Sequence, residues 1–343
     1  MKSATVTLVL AFIAFTQFTH AQQPTPKPPE LKVLERWVGN RTLEVTGKPS
    51  VWEPEGSKWE GTSRGEVVLD GRFLYTTVKA KGKLGKYEFV ALRTYDQNKK
   101  VFPSWSYWIT NKASGINETT GQWDEDTRTM TDSGVDAARG TTAHSKMMFL
   151  DKDRLDFTFV VKDKEGKFLL NRHGTTRKSK VADAKSKEEK EPKAQPRSPE
   201  LKVLDGYVGN WDAETVIKVT ELNPKEKRIT GTFTNEWVLD GTVMQIKGKS
   251  STGVEGIQMR TYDPQRKQYR AWVFDSTGTA ASSIGTWDGD AKTMNWKGDL
   301  GNGITATNTV RFVGSDTIEW RLVARNDAGK VFMDMEGTFK RKK

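Results

Sequence analysis

The chain has 343 residues, which is enough for two domains of ordinary size, and it contains no cysteine. Without cysteine, disulfides, thiolate metal sites, cysteine nucleophiles and cysteine-linked lipid anchors are all excluded. The net charge of +11 favours anionic surroundings, but the basic residues are scattered along the chain, so we expect a solvated surface and no nucleic-acid partner.

The first residues are typical of a secretory signal peptide. They contain one lysine, an apolar run from about Val6 to Phe15, and the sequence THA ahead of Gln22. The run is too short for a membrane-spanning helix, which needs about 20 apolar residues, and no later stretch could cross a bilayer. We therefore predict a signal peptide over residues 1–21 with cleavage after Ala21, and a secreted or periplasmic mature protein without a transmembrane segment.

Two further segments are predicted to flank domains rather than to form them. Residues 22–28 are a proline-rich leader. Residues 179–198 are rich in lysine, glutamate and alanine and contain few large apolar side chains, so they cannot bury enough surface to order themselves. We predict a charged flexible linker there, between a first domain over 29–178 and a second over 199–343.

The two domains are predicted to be tandem copies of one unit. Matching phrases keep their order, and the offset between them falls only from 170 to 163 residues, so the lost residues belong in connections. The matched phrases include PELKVLERWVGNR (29–41) with PELKVLDGYVGNW (199–211), VVLDG (67–71) with WVLDG (237–241), and GQWDEDTRTM (121–130) with GTWDGDAKTM (285–294).

Within each copy, apolar and polar residues alternate with a period of two, which is typical of strands. Turn signals recur about every 8–12 residues, including Asp70-Gly71 and Asp240-Gly241. We predict an all-β fold of two antiparallel up-and-down barrels, each with about ten strands and a short N-terminal helix, because closure removes exposed edges. A sandwich is the second choice. In the second copy the strands are expected to start near residues 211, 228, 242, 254, 267, 278, 291, 303, 316 and 330.

The start of the second copy resembles a known barrel signature. Gly209 and Trp211 match the Gly-x-Trp motif of the lipocalin and fatty-acid-binding (calycin) barrels. This resemblance implies that Trp211 packs across the closed end of the barrel against a basic residue of the last strand, either Lys340 or Arg341. The first copy has Arg41 at the matched position, so we expect its end to close differently.

The wider pattern is more specific. The first strand, the LDG hairpin, the TYD turn and the GTWD segment together resemble an exported bacterial family known only as domain of unknown function fifteen-seventy-nine. The resemblance covers both copies. In the first copy, Trp37 stands where the second has Tyr207 and is expected to supply aromatic bulk from the helix.

Catalytic and metal-binding residues are not predicted. The mature chain would hold two histidines, His144 and His173, both in the first copy, and the common catalytic and metal motifs are absent from the sequence. A relative of the calycin barrels binds haem through a histidine on a late strand, where His173 stands. Because the matched residue in the second copy is Glu336, we expect His173 to be a surface histidine and no cofactor to be bound.

The candidate ligand-binding residues are polar and aromatic residues that occur in both copies. Arg260 and Tyr262 share one strand face, and alternation alone leaves open whether that face is internal. An internal Arg260 would offer a bidentate clamp for a carboxylate or phosphate, whereas an external one would flank a turn, which is the interpretation the pattern favours. For the tryptophans, core packing is the competing interpretation. The candidates are Arg93, Tyr95 and Trp105, with their matches Arg260, Tyr262 and Trp272.

Three functions are compatible with these sequence features. The first is an exported protein that binds an unidentified small apolar or amphiphilic ligand, including an anionic one, in one or both barrels. The second is a structural or interaction module whose barrels are filled by side chains. The third is an enzyme that acts on an exported substrate. The volume inside each barrel separates the first two.

Overall fold

A computed structural model describes residues 26–111, 113–179, 197–221, 223–300 and 303–343. The chain divides into two compact units, and each contains one barrel. The predicted signal peptide and nearly all of the predicted linker lie outside the described residues.

The first barrel begins with a 3-10 helix, Pro29–Trp37. Proline suits the first helical position because its fixed φ is already helical and its missing N–H would have no partner there. Leu31, Leu34 and Trp37 are buried, and their spacing of three residues places them on one face of a helix with three residues per turn. This apolar face closes one end of the barrel.

Ten strands follow the helix. They are β1 (Gly39–Gly47), β2 (Ser57–Val68), β3 (Phe73–Gly82), β4 (Gly85–Arg93), β5 (Phe102–Thr110), β6 (Ser114–Asp124), β7 (Thr129–Asp136), β8 (Thr141–Phe149), β9 (Arg154–Asp163) and β10 (Phe168–Lys178).

The second barrel begins with a short helix, α1 (Pro199–Val203), capped by Ser198, and continues as a 3-10 turn over Leu204–Tyr207. Its strands are β11 (Gly209–Ile217), β12 (Lys227–Val238), β13 (Val243–Ser250), β14 (Glu255–Asp263), β15 (Gln268–Asp275), β16 (Ala280–Asp288), β17 (Thr293–Asp299), β18 (Thr305–Val313), β19 (Thr317–Arg325) and β20 (Val331–Arg341).

Both sheets are closed. Each strand pairs antiparallel with its neighbours in the sequence, and the last strand of each barrel pairs with the first, with Leu43 opposite Thr176 and Ala213 opposite Phe339. The predicted fold class of two tandem ten-stranded up-and-down barrels is confirmed. In the described part of the chain, no helix has the length and apolar character needed to span a bilayer.

Candidate binding lumen of the first barrel

We call the space enclosed by the inward side chains of the first barrel the lumen. Two separate apolar clusters are present in the described residues, one at the helix-closed end and a smaller one around Leu43, Trp59 and Ala80. The closed-end cluster comprises Leu31, Leu34, Trp37, Leu74, Phe102, Met130, Phe149 and Leu155.

Three inward aromatic residues mark the lumen. Phe89, Trp108 and Phe159 face the same interior as these clusters, yet all three are partly exposed. An inward side chain in a closed barrel reaches solvent through the interior, because strand backbones and outward side chains cover every other side. The exposure of these rings therefore indicates an open lumen.

Trp108 is held flat against the wall. It lies directly opposite Gly115 on β6, where an added Cβ would stand 2.6 Å from the Cζ2 atom of the indole. When the amide of Asn117 is oriented to satisfy both of its atoms, its oxygen accepts a hydrogen bond of 3.2 Å from Trp108 Nε1. The glycine provides space for the ring and the amide fixes its direction.

A polar group forms the floor of the lumen, just above the closed-end cluster. Arg93 Nη2 donates to Asp132 Oδ2 at 2.8 Å, and the hydroxyl of Ser145 donates to the same oxygen at 2.8 Å. The two charged side chains are 11% and 4% exposed, respectively. Because β4 and β7 are not neighbours in the sheet, this ion pair crosses the interior, and Arg93 is an inward residue.

A second ion pair lies near the mouth. Arg172 contacts Glu53, and its guanidinium carbon lies 5.2 Å from the ring centre of Trp59 and 5.6 Å from that of Tyr87. Glu53 also accepts a hydrogen bond of 2.8 Å from Ser57. Burial raises the pKa of Tyr87 to about 12 although the positive charge of Arg172 opposes the shift, so Tyr87 is a neutral phenol at ordinary pH.

The second barrel is filled. Its described interior residues form one continuous cluster of 24 buried side chains, against 8 and 3 in the two clusters of the first barrel. A cavity of about 30 Å³ lies beside Gln258, Trp296 and Asn308, which is room for about one water molecule.

Differences between matched interior positions account for this contrast. Four polar positions of the first barrel carry larger or more apolar residues in the second. Near the mouth the exchange is the reverse, because the aromatic residues Phe89 and Trp108 of the first barrel correspond to Gly256 and Asp275. The four exchanges are Thr76 to Ile246, Ser106 to Val273, Asp132 to Trp296 and Arg172 to Met335. The aromatic bulk of the second barrel thus lies at its centre.

Arg260 also lies inside its barrel, so the outward orientation favoured by the sequence pattern is wrong. Its guanidinium carbon stands 4.3 Å from the ring centre of Tyr207 and 5.2 Å from that of Trp296, and Nη2 donates to Gln258 at 2.9 Å. Burial lowers the pKa of Arg260 from its usual value. The pattern was misleading because a polar strand face normally meets water, whereas the guanidinium of this one packs against aromatic faces and an amide.

The other predicted ligand-binding residues do not line the lumen. Tyr95 packs against Phe102 with ring centres 4.9 Å apart, beside the closed-end cluster. Tyr262 packs against Tyr269 at 5.1 Å. The two remaining candidates, Trp105 and Trp272, face away from the interior, since they pair with Leu92 and Met259 rather than with the arginine-bearing face. Of the six candidates, Arg93 alone borders the lumen.

The closed end of the second barrel has the geometry that the Gly-x-Trp resemblance implied. Trp211 is 1% exposed, its indole N–H donates to Tyr207 O at 2.8 Å, and the guanidinium of Arg341 lies 4.3 Å from its ring centre. Arg341 also donates to the carbonyl of Val208. Gly209 has φ +119°, and a Cβ there would stand 2.5 Å from Arg341 Nη1, so glycine is required.

The first barrel reaches the same closure with the residue types exchanged. Arg41, from the first strand, donates to the carbonyls of Arg36 at 2.9 Å and Asp153 at 3.2 Å. The guanidinium carbon of Arg41 lies 5.7 Å from the ring centre of Phe149 on β8, and Trp37 of the helix packs edge-on against Phe149 at 4.6 Å. Burial lowers the pKa of Arg41, while the charge of Asp153 opposes the shift.

The family described as "Protein of unknown function (DUF1579)" matches residues 27–171 and again residues 196–341. The chain belongs to the DUF1579 family. The resemblance drawn from its motifs is therefore confirmed over both copies, while export stays a prediction. A search of the curated proteins found no match.

Solved structures similar to this DUF1579 chain are distant. A protein of unknown function from the DUF3598 family of Nostoc punctiforme is 9% identical with a TM-score of 0.29, covering 92% of this chain and 100% of its own. The S-type phycobiliprotein lyase CPES from Guillardia theta is 12% identical with a TM-score of 0.33, covering 44% of this chain and 93% of its own. Neither likeness carries an argument about function.

Other features of the DUF1579 chain lie outside the lumen. His173 is exposed on the outer face of β10. Within the described ranges, no group of three or more histidine or acidic residues could hold a metal ion. A groove of about 640 Å³ lies over β11, β12 and β17 to β20, and several of its charged residues are held in surface pairs such as Arg311–Glu319 and Lys218–Glu336.

Several residues that define the lumen of this DUF1579 chain were not predicted from the sequence, namely Glu53, Trp108, Asp132, Ser145 and Arg172. A signal for two of them was present. Asp132 and Arg172 are polar where the second copy has Trp296 and Met335, so comparing the copies position by position would have marked an interior that differs in polarity.

Proposed function

We propose that the first barrel is an exported binding domain that holds one small, largely apolar molecule in its lumen, and that the second barrel is a filled structural copy. The observation that carries the proposal is the partial exposure of Phe89, Trp108 and Phe159 inside a closed sheet. A cavity with aromatic walls and a few polar groups at one end is the usual form of a small-molecule site.

The filled interior of the second barrel supports a different role for this copy. The interior cavity of about 30 Å³ beside Trp296 has room for about one water molecule. The interaction-module hypothesis therefore applies to this barrel, because only its outer surface is available to a partner.

Mass spectrometry of the exported protein tests export and ligand binding, and the stoichiometry of a bound dye tests how many barrels bind. We expect a denatured mass that corresponds to cleavage after Ala21, and a native mass with an excess that is lost on denaturation. We also expect one molecule of the small neutral dye aminoanthracene to bind per chain, with enhanced fluorescence in the apolar lumen. A stoichiometry of two would contradict the assignment of the second barrel, and no dye binding would contradict that of the first.

One variant locates the dye. Ser106 is an inward, partly exposed residue of β5 whose match in the filled barrel is Val273. Ser106→Trp should occupy the lumen and abolish dye binding. Ser133→Trp is the matched control, since Ser133 is exposed on the outer face of β7, and it should bind the dye as the unaltered protein does. Equal binding by both variants would place the dye outside the lumen.

A further inference from the structure

The charged side chains that border the lumen occur as neutralised pairs. The floor pair is Arg93 with Asp132, and the mouth pair is Arg172 with Glu53. Each pair brings one positive and one negative charge into the interior, so neither end of the lumen presents a net charge to an occupant.

We propose that the ligand of the first barrel is an uncharged amphiphile, with a hydroxyl, amide or ester group at the floor and an apolar body against the aromatic wall. This inference rests on the proposed function and restricts its ligand class. It departs from the anionic ligand that an unpaired arginine would select.

The floor pair decides the sign of the head group. Asp132 is 4% exposed and accepts hydrogen bonds from both Arg93 and Ser145. A carboxylate placed beside Arg93 would also lie beside Asp132, and like charges in a poorly solvated interior repel each other. An ammonium group would meet Arg93 in the same way. Either ion would lose its hydration without gaining an oppositely charged partner that is not already paired.

A neutral head group avoids this cost because it needs only hydrogen-bonding partners. Inward polar residues stand close to the floor along the same strands: Ser104 lies opposite Arg93 across β4 and β5, and Thr119 lies opposite Ser104 on β6. Ser106 and Asn117 form the next inward pair towards the mouth. Hydroxyl and amide groups of this kind can both donate and accept, which suits an alcohol, an amide or an ester.

The second copy lacks the residue that produces this neutrality. Asp132 corresponds to Trp296, and Arg260 has no acidic partner within the described residues. The pairing of Arg93 is therefore a property of the hollow copy, where a ligand would meet it, and not a general feature of the fold.

The test is competition against bound aminoanthracene at neutral pH by three amphiphiles of one chain length: decanol, decanoate and decylammonium. We expect decanol to displace the dye at concentrations at least about tenfold lower than either ion, which corresponds to about 1.4 kcal/mol. Asp132→Asn should reduce the preference for decanol over decanoate by about tenfold or more, because Arg93 then carries an uncompensated charge. Asp156→Asn is the control, since Asp156 pairs with Arg154 on the outer face, and it should change nothing.

The outcomes separate the two proposals. Dye binding with preferential displacement by decanoate or decylammonium would overturn the uncharged ligand while leaving the binding function intact. Dye binding that none of the three displaces would also overturn it. No dye binding at all would remove the proposed function and this inference together. If Asp132→Asn fails to fold, the double variant Arg93→Gln/Asp132→Asn, which keeps the floor neutral, should retain the decanol preference, and losing it would count against the inference.

Discussion

Two glycine–tryptophan pairs make the contrast between the hollow and the filled barrel measurable. Gly115 lies opposite Trp108 in the first barrel, and Gly285 lies opposite Trp296 in the second. A Cβ added at either glycine would approach the facing indole to 2.6 Å or 2.7 Å, respectively. The same substitution therefore creates the same clash, and the outcome depends on whether the ring has somewhere to move.

The expected effects differ between the barrels. Replacing glycine by alanine stabilises by about 0.4–1 kcal/mol through the unfolded chain, and overpacking a full core costs about 1–3 kcal/mol. Trp296 is 5% exposed and cannot move without repacking its neighbours, so Gly285→Ala should destabilise the second barrel by about 1–2 kcal/mol. Trp108 can turn into the lumen, so Gly115→Ala should change the stability of the first barrel by less than about 0.5 kcal/mol.

Hydrogen exchange of the full chain, followed by mass spectrometry as urea is raised, reports the unfolding free energy of each barrel separately. Aminoanthracene binding provides a second measurement, because an indole turned into the lumen should weaken it. Equal destabilisation of the two barrels, or unchanged dye binding by Gly115→Ala, would refute the reasoning that one barrel is hollow.

Three further predictions concern the charged and aromatic residues. Arg93→Met leaves the buried carboxylate of Asp132 unpaired and should destabilise the first barrel by about 3–5 kcal/mol in urea unfolding. Arg260→Met removes a buried charge that has no acidic partner in the described chain, so it should destabilise the second barrel by less than about 1 kcal/mol. The pKa of Tyr87 is about 12 when folded and about 10 when unfolded, so the free energy of unfolding of the first barrel should fall by up to about 3 kcal/mol as the pH rises from about 10 to 12. Tyr87→Phe should remove this part of the fall, and an unchanged alkaline transition would contradict the assignment. Trp211→Ala should cost the second barrel about 3–5 kcal/mol through the cavity it leaves, measured by urea unfolding, and a cost below about 1 kcal/mol would show that the closed end does not depend on this ring.

The strands were predictable because the local pattern is consistent along the chain. The ten expected strand starts of the second copy lie within two residues of those observed, from Gly209 to Val331. Alternation and turn residues are local signals, and each strand pairs with its neighbour in sequence, so the sequence order already contains the topology.

The site was harder to predict because its contacts are not local. Arg93 and Asp132 are 39 residues apart and meet across the interior rather than along a ladder. Alternation separates two faces of a strand without saying which one is internal. In β14, Ile257 and Met259 are as deeply buried as Gln258 and Arg260 on the other face, so polarity did not distinguish them. The hollow and filled interiors arise from side-chain volumes summed over many strands.

The exchanged residues at the closed ends have a consequence for building chimeric barrels. In one copy, Arg41 of the first strand faces Phe149 of β8, which packs against Trp37 of the helix, and in the other, Trp211 of the first strand faces Arg341 of the last. A graft that moved the first strand alone would place two guanidinium groups or two large rings at one end. A transferable unit must therefore contain the helix, the first strand and the last strand together. Because these elements begin and end the barrel, the chain should be cut before the helix and after the last strand.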